Sequence, residues 1–213
     1  LPGEAAGIMA SPEYKRKVYD EDWYLGETFD AAIGQSFTLV TPLQMAVMLS
    51  EVANGGIKYR PYVVSRIDNK DGTPKEIFGP DKLGILPVPK NIMDLIREGL
   101  RDVTNEGGTA GDLFKGFPIN VAGKTGTAEN AHGRDHGWFV AYAPYDKPQI
   151  VVVALVEQGG FGAGSAGPIV RDILSAYFKV PTSSSKTTDT KTTDTKTTTN
   201  KKETQEIKPS VKE

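Results

Sequence analysis

The chain contains no cysteine in its 213 residues, and that absence excludes a disulfide framework, a thiolate zinc site and a cysteine nucleophile. Long apolar stretches are also absent. The longest unbroken one spans residues 150–156, whereas a membrane-spanning helix needs about 20 apolar residues. The chain also has no large excess of charge of either sign, because 25 basic and 27 acidic side chains leave a net charge of −2. Without a concentration of basic residues, we expect no binding to nucleic acid.

The two ends of the chain differ from its middle in composition. It begins Leu1-Pro2-Gly3 with no charged and apolar leader, so we expect a processed or truncated piece of a longer protein. Residues 181–213 are rich in Thr and Lys, contain a short repeat and have no aromatic side chain. Such a segment cannot bury enough apolar surface to offset its conformational entropy. We predict a folded part over residues 1–180 and a disordered, solvated tail over 181–213, with wall association or tethering as alternative roles for the tail.

Apolar residues recur at helical spacing in three segments. The first spans residues 41–54, where a threonine cap is followed by proline and the segment stops at a glycine. The second spans about residues 91–103, and the third spans residues 169–178, directly after a Gly-Pro pair. The glycine-rich residues 159–167 are predicted to form a flexible loop before that last helix.

Strands are predicted between these helices. Residues 62–68 and 75–78 flank an Asp-Gly turn and are predicted to form a hairpin. Residues 119–124, 138–143 and 150–157 are predicted to form three further strands, and their short connections favour antiparallel pairing. The last is apolar on both faces, which is typical of a central strand covered by helices on each side. The predicted fold class is therefore α+β, an antiparallel sheet covered by helices.

The string GKTGTA, residues 123–128, contains the residues with the clearest potential for binding or catalysis. It is predicted at the end of the first of those three strands. Lys124 supplies a fixed cation, and the hydroxyls of Thr125 and Thr127 lie beside it. Gly126 leaves the strand edge open to close approach by a ligand. A strand edge offers N–H and C=O groups to an extended peptide, and a backbone N–H can stabilise developing negative charge. The string favours recognition of a peptide-like substrate that bears a carboxylate, although so short a pattern also occurs in ordinary strands.

The surroundings of this string extend the pattern. RDHGWFVAYAP follows at residues 134–144 and LVEQGG at 155–160, while IGQS at 33–36 and VTPLQMA at 40–46 precede it. This ordered set resembles class B penicillin-binding proteins, the monofunctional peptidoglycan D,D-transpeptidases, whose serine acyltransferase fold has Lys-Thr-Gly as its third motif. The Ile-Gly-Gln segment and the opening Leu-Pro-Gly-Glu are most similar to the elongation-type branch called penicillin-binding protein 2.

The resemblance covers about residues 1–178 and implies the C-terminal half of a serine transpeptidase or β-lactamase-like fold. In this family a serine attacks the penultimate D-alanine carbonyl of a stem peptide, D-alanine leaves, and an amine from a neighbouring stem attacks the acyl-enzyme to form the cross-link. By position, Lys124 and Thr127 are the implied catalytic residues, through the electrostatics of the site and the Thr127 N–H as an oxyanion donor. Thr125, Gly126 and Thr127 are the implied substrate-binding residues, because the two hydroxyls bind the carboxylate and the glycine keeps the edge open.

Two motifs of the family have no counterpart before the third. Ser183 and Lys186 fit the spacing of the S-x-x-K nucleophile motif, but they lie in the predicted tail rather than at the start of a core helix. The family's second motif, S-x-N, is not found in the sequence. We expect both motifs to lie upstream of Leu1, so we predict that the chain alone is inactive and does not bind labelled penicillin covalently.

The resemblance also implies partners and a location. Peptidoglycan stem peptides, β-lactam antibiotics and a membrane glycosyltransferase of the elongation machinery are the implied partners, at the outer side of the cytoplasmic membrane, with an anchor helix that precedes this chain. No cofactor or metal is expected: His132, Asp135 and His136 fall short of a zinc set and are predicted to be polar turn residues. Two alternatives stay open, an extracellular β-lactam-sensing receptor domain and a noncatalytic peptide-binding module.

Overall fold

The computed structural model describes residues 1–180, and the tail predicted over residues 181–213 lies outside the described residues. Six helices and seven strands follow one another in this part of the chain. In chain order they are α1 (Pro12–Tyr19), α2 (Leu25–Ala32), α3 (Pro42–Ala53), β1 (Ile57–Tyr59), β2 (Arg66–Asp68), β3 (Pro74–Ile77), β4 (Lys82–Ile85), α4 (Lys90–Asp102), α5 (Gly111–Phe114), β5 (Ala122–Ala128), β6 (His136–Ala143), β7 (Ile150–Val156) and α6 (Gly162–Phe178).

A three-stranded sheet in the order β5-β6-β7 forms the centre of the fold. Both pairings are antiparallel, and each extends over seven residue pairs. The predicted α+β class and the antiparallel pairing of these strands are therefore confirmed. The position of the last strand differs from the prediction, because β6 is the middle strand and β7 lies at one side of the sheet. Its two apolar faces reflect contact with helices on both sides rather than a strand on both edges.

Alternate residues of β6 face two helical layers, as the two-residue period of a strand requires. Phe139 lies in one buried cluster with Val170 and Leu174 of α6. Val140 lies in a second buried cluster with Leu49 of α3. Burial of a side chain of this size contributes about 1.5–3 kcal/mol, so the two clusters hold the sheet between α6 and α3.

The helix over residues 41–54 is confirmed, together with the cap that predicted it. The Thr41 hydroxyl accepts the Gln44 N–H at 3.1 Å, and the Gln44 Oε1 accepts the Thr41 N–H at 2.9 Å. Pro42 occupies the first position of the helix. This reciprocal capping satisfies backbone donors that no intrahelical bond reaches. The predicted second helix is confirmed as α4, Lys90–Asp102, within about one residue at each end.

The predicted start of the last helix was wrong. α6 begins at Gly162 and contains Pro168, so residues predicted as a flexible loop form its first turns. A Cβ atom on Gly162 would lie 2.0 Å from the Trp138 carbonyl oxygen, and one on Gly167 would lie 2.7 Å from Leu113 Cδ2. These glycines are required for close packing of the helix on the sheet and on α5, so their abundance signals contact rather than flexibility.

The predicted end of the first sheet strand was also wrong. β5 spans Ala122–Ala128, so it extends four residues beyond the predicted end at residue 124, and the string at residues 123–128 forms nearly all of the strand. Glycine is depleted in strands, which made the string resemble a terminus. Here a Cβ atom on Gly123 would lie 2.6 Å from the Val140 carbonyl oxygen of β6. The predicted hairpin is confirmed as β2 and β3, although β2 begins only at Arg66.

Several elements were missed. β1 and β4 are short strands that pair antiparallel with each other, and α1, α2 and α5 were not predicted. Ser11 caps α1 by accepting the Tyr14 N–H at 3.1 Å, and Glu27 accepts the Tyr24 N–H at the start of α2 at 2.7 Å. Among the described residues, no helix is both long enough and apolar enough to cross a membrane.

A buried cation joins α1 to the start of α2. Lys15 is 3% exposed, and its Nζ lies 2.7 Å from Glu27 Oε1, 3.4 Å from Glu21 Oε2 and 4.2 Å from the centre of the Tyr24 ring. Desolvation lowers the pKa of Lys15, but the hydrogen bonds and charges of Glu27 and Glu21 outweigh it and raise that pKa above its usual value. The hydrogen bond from Lys15, and then the one from the Tyr24 N–H, hold the pKa of Glu27 below its usual value.

Candidate active site

Strand β5 presents the residues that the sequence singled out. Lys124 is exposed, and Thr125, Gly126 and Thr127 are partly buried. β6 pairs with one edge of β5, and within residues 1–180 no strand pairs with the other edge. The structure therefore brings the four predicted site residues together on a strand whose outer edge is open to an extended ligand.

Gly126, the second glycine of this string, allows close contact on the side of the strand that faces the rest of the protein. A Cβ atom on Gly126 would lie 3.1 Å from the Cβ atom of Trp138 on β6. A Cβ atom on Gly162, the first residue of α6, would lie 2.4 Å from the Gly126 carbonyl oxygen. Strand, neighbouring strand and helix start thus meet at Gly126, which fixes the position of the flanking threonines.

Two side-chain contacts fix the first half of the string. The Lys124 ammonium donates to the Thr125 carbonyl oxygen at 2.8 Å. The Thr125 hydroxyl lies 3.4 Å from the Thr109 hydroxyl, on the segment between α4 and α5. A groove of about 480 Å³ runs along that segment, and its lining includes Asp102, Glu106 and Thr109. Because Thr109 both lines the groove and lies beside Thr125, the site borders this groove, which the sequence did not predict.

The second half of the string has a partner from a distant part of the chain. The side-chain amide of Gln35 donates from Nε2 to the Thr127 carbonyl oxygen at 3.3 Å. Because N–H and C=O of one strand residue point to the same edge, the Thr127 N–H also points away from β6. Gln35 was noted in the sequence only as part of the IGQS string, and no local pattern could have predicted a contact across 92 residues.

The histidines lie at one end of the same strands. His136 begins β6, and its Nδ1 accepts the Gln158 N–H at 3.0 Å. Its neutral form therefore carries the ring proton on Nε2. The backbone N–H of His132 donates to the Asn130 side-chain oxygen at 3.1 Å in the β5–β6 turn. Among the residues that the structure describes, no three His, Cys, Asp or Glu side chains are grouped so that they could hold a metal ion.

On the α3 side of the sheet, Tyr142 is fully buried. Burial raises the pKa of its phenol, although Arg97 opposes that shift. Arg97 Nε lies 3.4 Å from the Tyr142 hydroxyl, and Arg97 Nη2 donates to the Tyr145 carbonyl oxygen at 3.0 Å. These contacts join α4 to the sheet behind the candidate site.

Comparison with known proteins identifies the family. Residues 1–175 match the sequence profile of the penicillin-binding protein transpeptidase domain. The chain belongs to this transpeptidase family. It is 32% identical over 193 residues to the peptidoglycan D,D-transpeptidase MrdA of Haemophilus influenzae and 32% identical over 190 residues to MrdA of Escherichia coli K12. Each alignment covers 82% of this chain but only 29% and 30% of the relatives, so this transpeptidase chain spans about three tenths of their length.

Solved structures agree with this assignment. Penicillin-binding protein 2 of Pseudomonas aeruginosa, in complex with WCK 5153, superposes with a TM-score of 0.70 at 37% identity, over 83% of this chain and 39% of that one. A chain of a peptidoglycan synthase complex gives a TM-score of 0.73 at 36% identity, over 85% and 30%. Penicillin-binding protein 2 of Helicobacter pylori, in complex with MreC, gives 0.67 at 29% identity, over 84% and 32%. The transpeptidase fold predicted from the sequence is confirmed.

Proposed function

We propose that this chain supplies the substrate-binding strand and an oxyanion donor of a peptidoglycan D,D-transpeptidase. The observation that carries the proposal is the presence of Lys124, Thr125 and Thr127 along the open edge of β5, in a chain whose residues 1–175 match the transpeptidase family. An edge strand that carries a cation and two hydroxyls suits a peptide that ends in a carboxylate.

Each residue has a distinct part in the proposed reaction. The Lys124 ammonium attracts the terminal carboxylate of the stem peptide or of a β-lactam, and the hydroxyls of Thr125 and Thr127 donate hydrogen bonds to it. The Thr127 N–H points away from β6, so it is placed to donate to the oxygen that becomes negative when the acyl carbonyl is attacked. Loss of one such donor costs on the order of 10²–10³ in rate in other acyl-transfer enzymes.

The nucleophile of the proposed reaction comes from another part of the transpeptidase domain. Within residues 1–180 no serine is followed three positions later by a lysine. Helix α2 supports this arrangement, because Leu25, Phe29 and Ile33 form a stripe along it and its end that is 73%, 66% and 76% exposed. An apolar stripe of this kind marks a surface that packs against further protein. We infer that the nucleophile-bearing part of the domain covers it.

The proposed partners follow from the relatives. The structure of a peptidoglycan synthase complex concerns coordination of polymerization and crosslinking, and the Helicobacter pylori protein is bound to MreC. Penicillin-binding protein A of Mycobacterium tuberculosis, with a TM-score of 0.61, was solved as an imipenem acyl-enzyme. For this chain, stem peptides are the proposed substrates, β-lactams the proposed inhibitors and a membrane glycosyltransferase the proposed partner, all on the outer side of the cytoplasmic membrane.

A chimera tests the proposal. Residues 1–180 replace the matching segment of Escherichia coli MrdA, so the recipient supplies its own nucleophile, and the rate of labelling by a fluorescent penicillin is measured. We expect labelling of the chimera and a loss of at least about tenfold in rate when Lys124→Ala removes the cation. Lys75→Ala, an exposed lysine in the β2–β3 hairpin, is the matched control and should label at the rate of the unmodified chimera.

Two outcomes of this experiment contradict the proposal. A correctly folded chimera that no penicillin labels shows that the β5 edge does not serve acyl transfer. Equal labelling rates for Lys124→Ala and Lys75→Ala show that Lys124 has no part in it.

A further inference from the structure

The outer edge of β5 already has two hydrogen-bond donors on it. The carbonyls of Thr125 and Thr127 point to the same edge, because residues two apart in a strand face the same way. The Lys124 ammonium donates to the first at 2.8 Å, and the Gln35 amide donates to the second at 3.3 Å. Both acceptors that an extended peptide would use on this edge are therefore paired with side chains of the chain itself.

A tight turn directs Gln35 to this position. Its neighbours Gly34 and Ser36 have φ angles of +82° and +65°, both in the left-handed region. The Gln35 N–H donates to the Asp30 carbonyl oxygen at 2.9 Å, which ties the turn to the end of α2. A serine in the left-handed region costs roughly 1–2 kcal/mol, and a conformation of that cost is retained where the surrounding structure requires it.

The contact does little to hold β5 in place. β5 pairs with β6 over seven residue pairs, from Ala122 with Tyr142 to Ala128 with His136, and the pairing has no register shift. One long hydrogen bond from Gln35 adds little to that ladder. What the contact changes is the availability of the Thr127 carbonyl to a ligand.

We propose that Gln35 is a displaceable cap on the substrate edge of β5, whose side-chain amide occupies the Thr127 carbonyl until the N–H of an extended peptide replaces it. The inference rests on the proposed function, since it needs a peptide ligand on this edge. The chemistry of the two donors supports it, because a glutamine amide and a peptide N–H are equivalent donors to a carbonyl. An open strand edge also tends to pair with other chains, and a side chain that covers it while no ligand is bound prevents that.

The cap lowers the affinity for the peptide by the strength of the bond that the peptide must break. Net contributions of single hydrogen bonds correspond to a factor of about two to ten in affinity. Removal of the donor at residue 35 should therefore tighten binding by that factor. A residue that only supports the structure would weaken binding when removed, so the sign of the change separates the two roles.

The test uses the isotope-labelled 213-residue chain and the peptide diacetyl-L-lysyl-D-alanyl-D-alanine, titrated by NMR. Gln35→Met keeps the length of the side chain and removes its donor. Gln149→Met is the matched control, because Gln149 is exposed and lies just before β7 at the opposite end of the sheet from Thr127. We expect Gln35→Met to bind the peptide about two- to tenfold more tightly than the unmodified chain, and Gln149→Met to bind equally.

A second measurement needs no variant. In the unmodified chain, saturating peptide should shift the Gln35 side-chain NH₂ signals and speed their exchange with solvent, since the amide leaves the carbonyl. Unchanged Gln35 signals in the complex overturn the inference, as does weaker binding by Gln35→Met. Equal binding overturns it too, because the Thr127 carbonyl then accepts both donors at once. Absence of peptide binding by all three proteins contradicts the proposed function itself, and the inference with it.

Discussion

Gly162 provides the sharpest test of how α6 and the candidate site are joined. Replacement by alanine adds a Cβ atom that would lie 2.0 Å from the Trp138 carbonyl oxygen, 2.4 Å from the Gly126 carbonyl oxygen and 2.9 Å from the Trp138 carbonyl carbon. All three atoms belong to the backbone, so no side chain can move aside. The start of α6 must retreat from β5 and β6 by roughly an ångström, with local shifts of the backbone.

The magnitude follows from two opposing effects. Alanine favours a helix over glycine by about 1 kcal/mol. Overpacking against a fixed neighbour costs about 1–3 kcal/mol, and a clash with the backbone of two strands lies at the upper end of that range. We therefore expect Gly162→Ala to lower the free energy of unfolding by about 1–2 kcal/mol. Gly164→Ala, in the same helix with no atom within 4 Å of the added Cβ, should raise it by up to about 1 kcal/mol.

Urea unfolding of the two variants, followed by far-UV circular dichroism and tryptophan fluorescence, measures both changes. Trp138 lies beside Gly126, so its emission also reports on the shift of the helix. Equal stabilities of Gly162→Ala and Gly164→Ala would contradict this prediction, because the close approach of α6 to the Gly126 carbonyl would then have no energetic consequence.

Three further predictions concern other parts of the fold. Ser36→Gly should raise the free energy of unfolding by about 0.5–1 kcal/mol in the same urea assay, since glycine adopts the +65° φ angle without strain. Thr104→Val should lower it by about 1–2 kcal/mol, because the buried Thr104 hydroxyl lies 2.5 Å from the Val121 carbonyl oxygen and that acceptor would lose its donor. The lowered pKa of Glu27 predicts a contribution to stability that is present above its usual pKa of 4.5 and lost as pH falls through the folded-state value. Lys15→Met removes much of that contribution. The difference in free energy of unfolding between the unmodified chain and Lys15→Met, measured by urea unfolding across pH, should therefore shrink as pH falls below 4.5.

Local signals predicted the parts of the fold that local interactions determine. The helix over residues 41–54 was predicted with its cap, because Thr41, Pro42 and Gln44 act on one another within one turn. The three sheet strands and their antiparallel pairing followed from apolar runs and short connections. The short strands β1 and β4 were missed, because each has only three or four residues and its partner lies about 25 residues away.

The glycines near the last helix, in contrast, led to a wrong prediction. Gly162 and Gly167 were predicted in a loop, since glycine lowers helix propensity. In the structure both occupy α6, because the helix packs so closely that no side chain fits there. That requirement comes from tertiary contact, which helix propensity alone does not predict.

The candidate site also combines residues that a local pattern predicts with one that depends on a long-range contact. Lys124, Thr125, Gly126 and Thr127 were predicted as site residues from one string, because the string itself holds a cation, two hydroxyls and a glycine. Gln35 was not assigned a role, since its contact with Thr127 depends on a strained turn and on the return of the chain 92 residues later.

In the proposed function, this chain carries the substrate edge of a transpeptidase whose nucleophile lies in another part of the domain. Intact-mass spectrometry after incubation with benzylpenicillin tests this division of the site, with the 213-residue chain and the MrdA chimera treated side by side. We expect one acyl adduct on the chimera and none on the chain alone. A stoichiometric adduct on the 213-residue chain, or a folded chimera without any adduct, would contradict it.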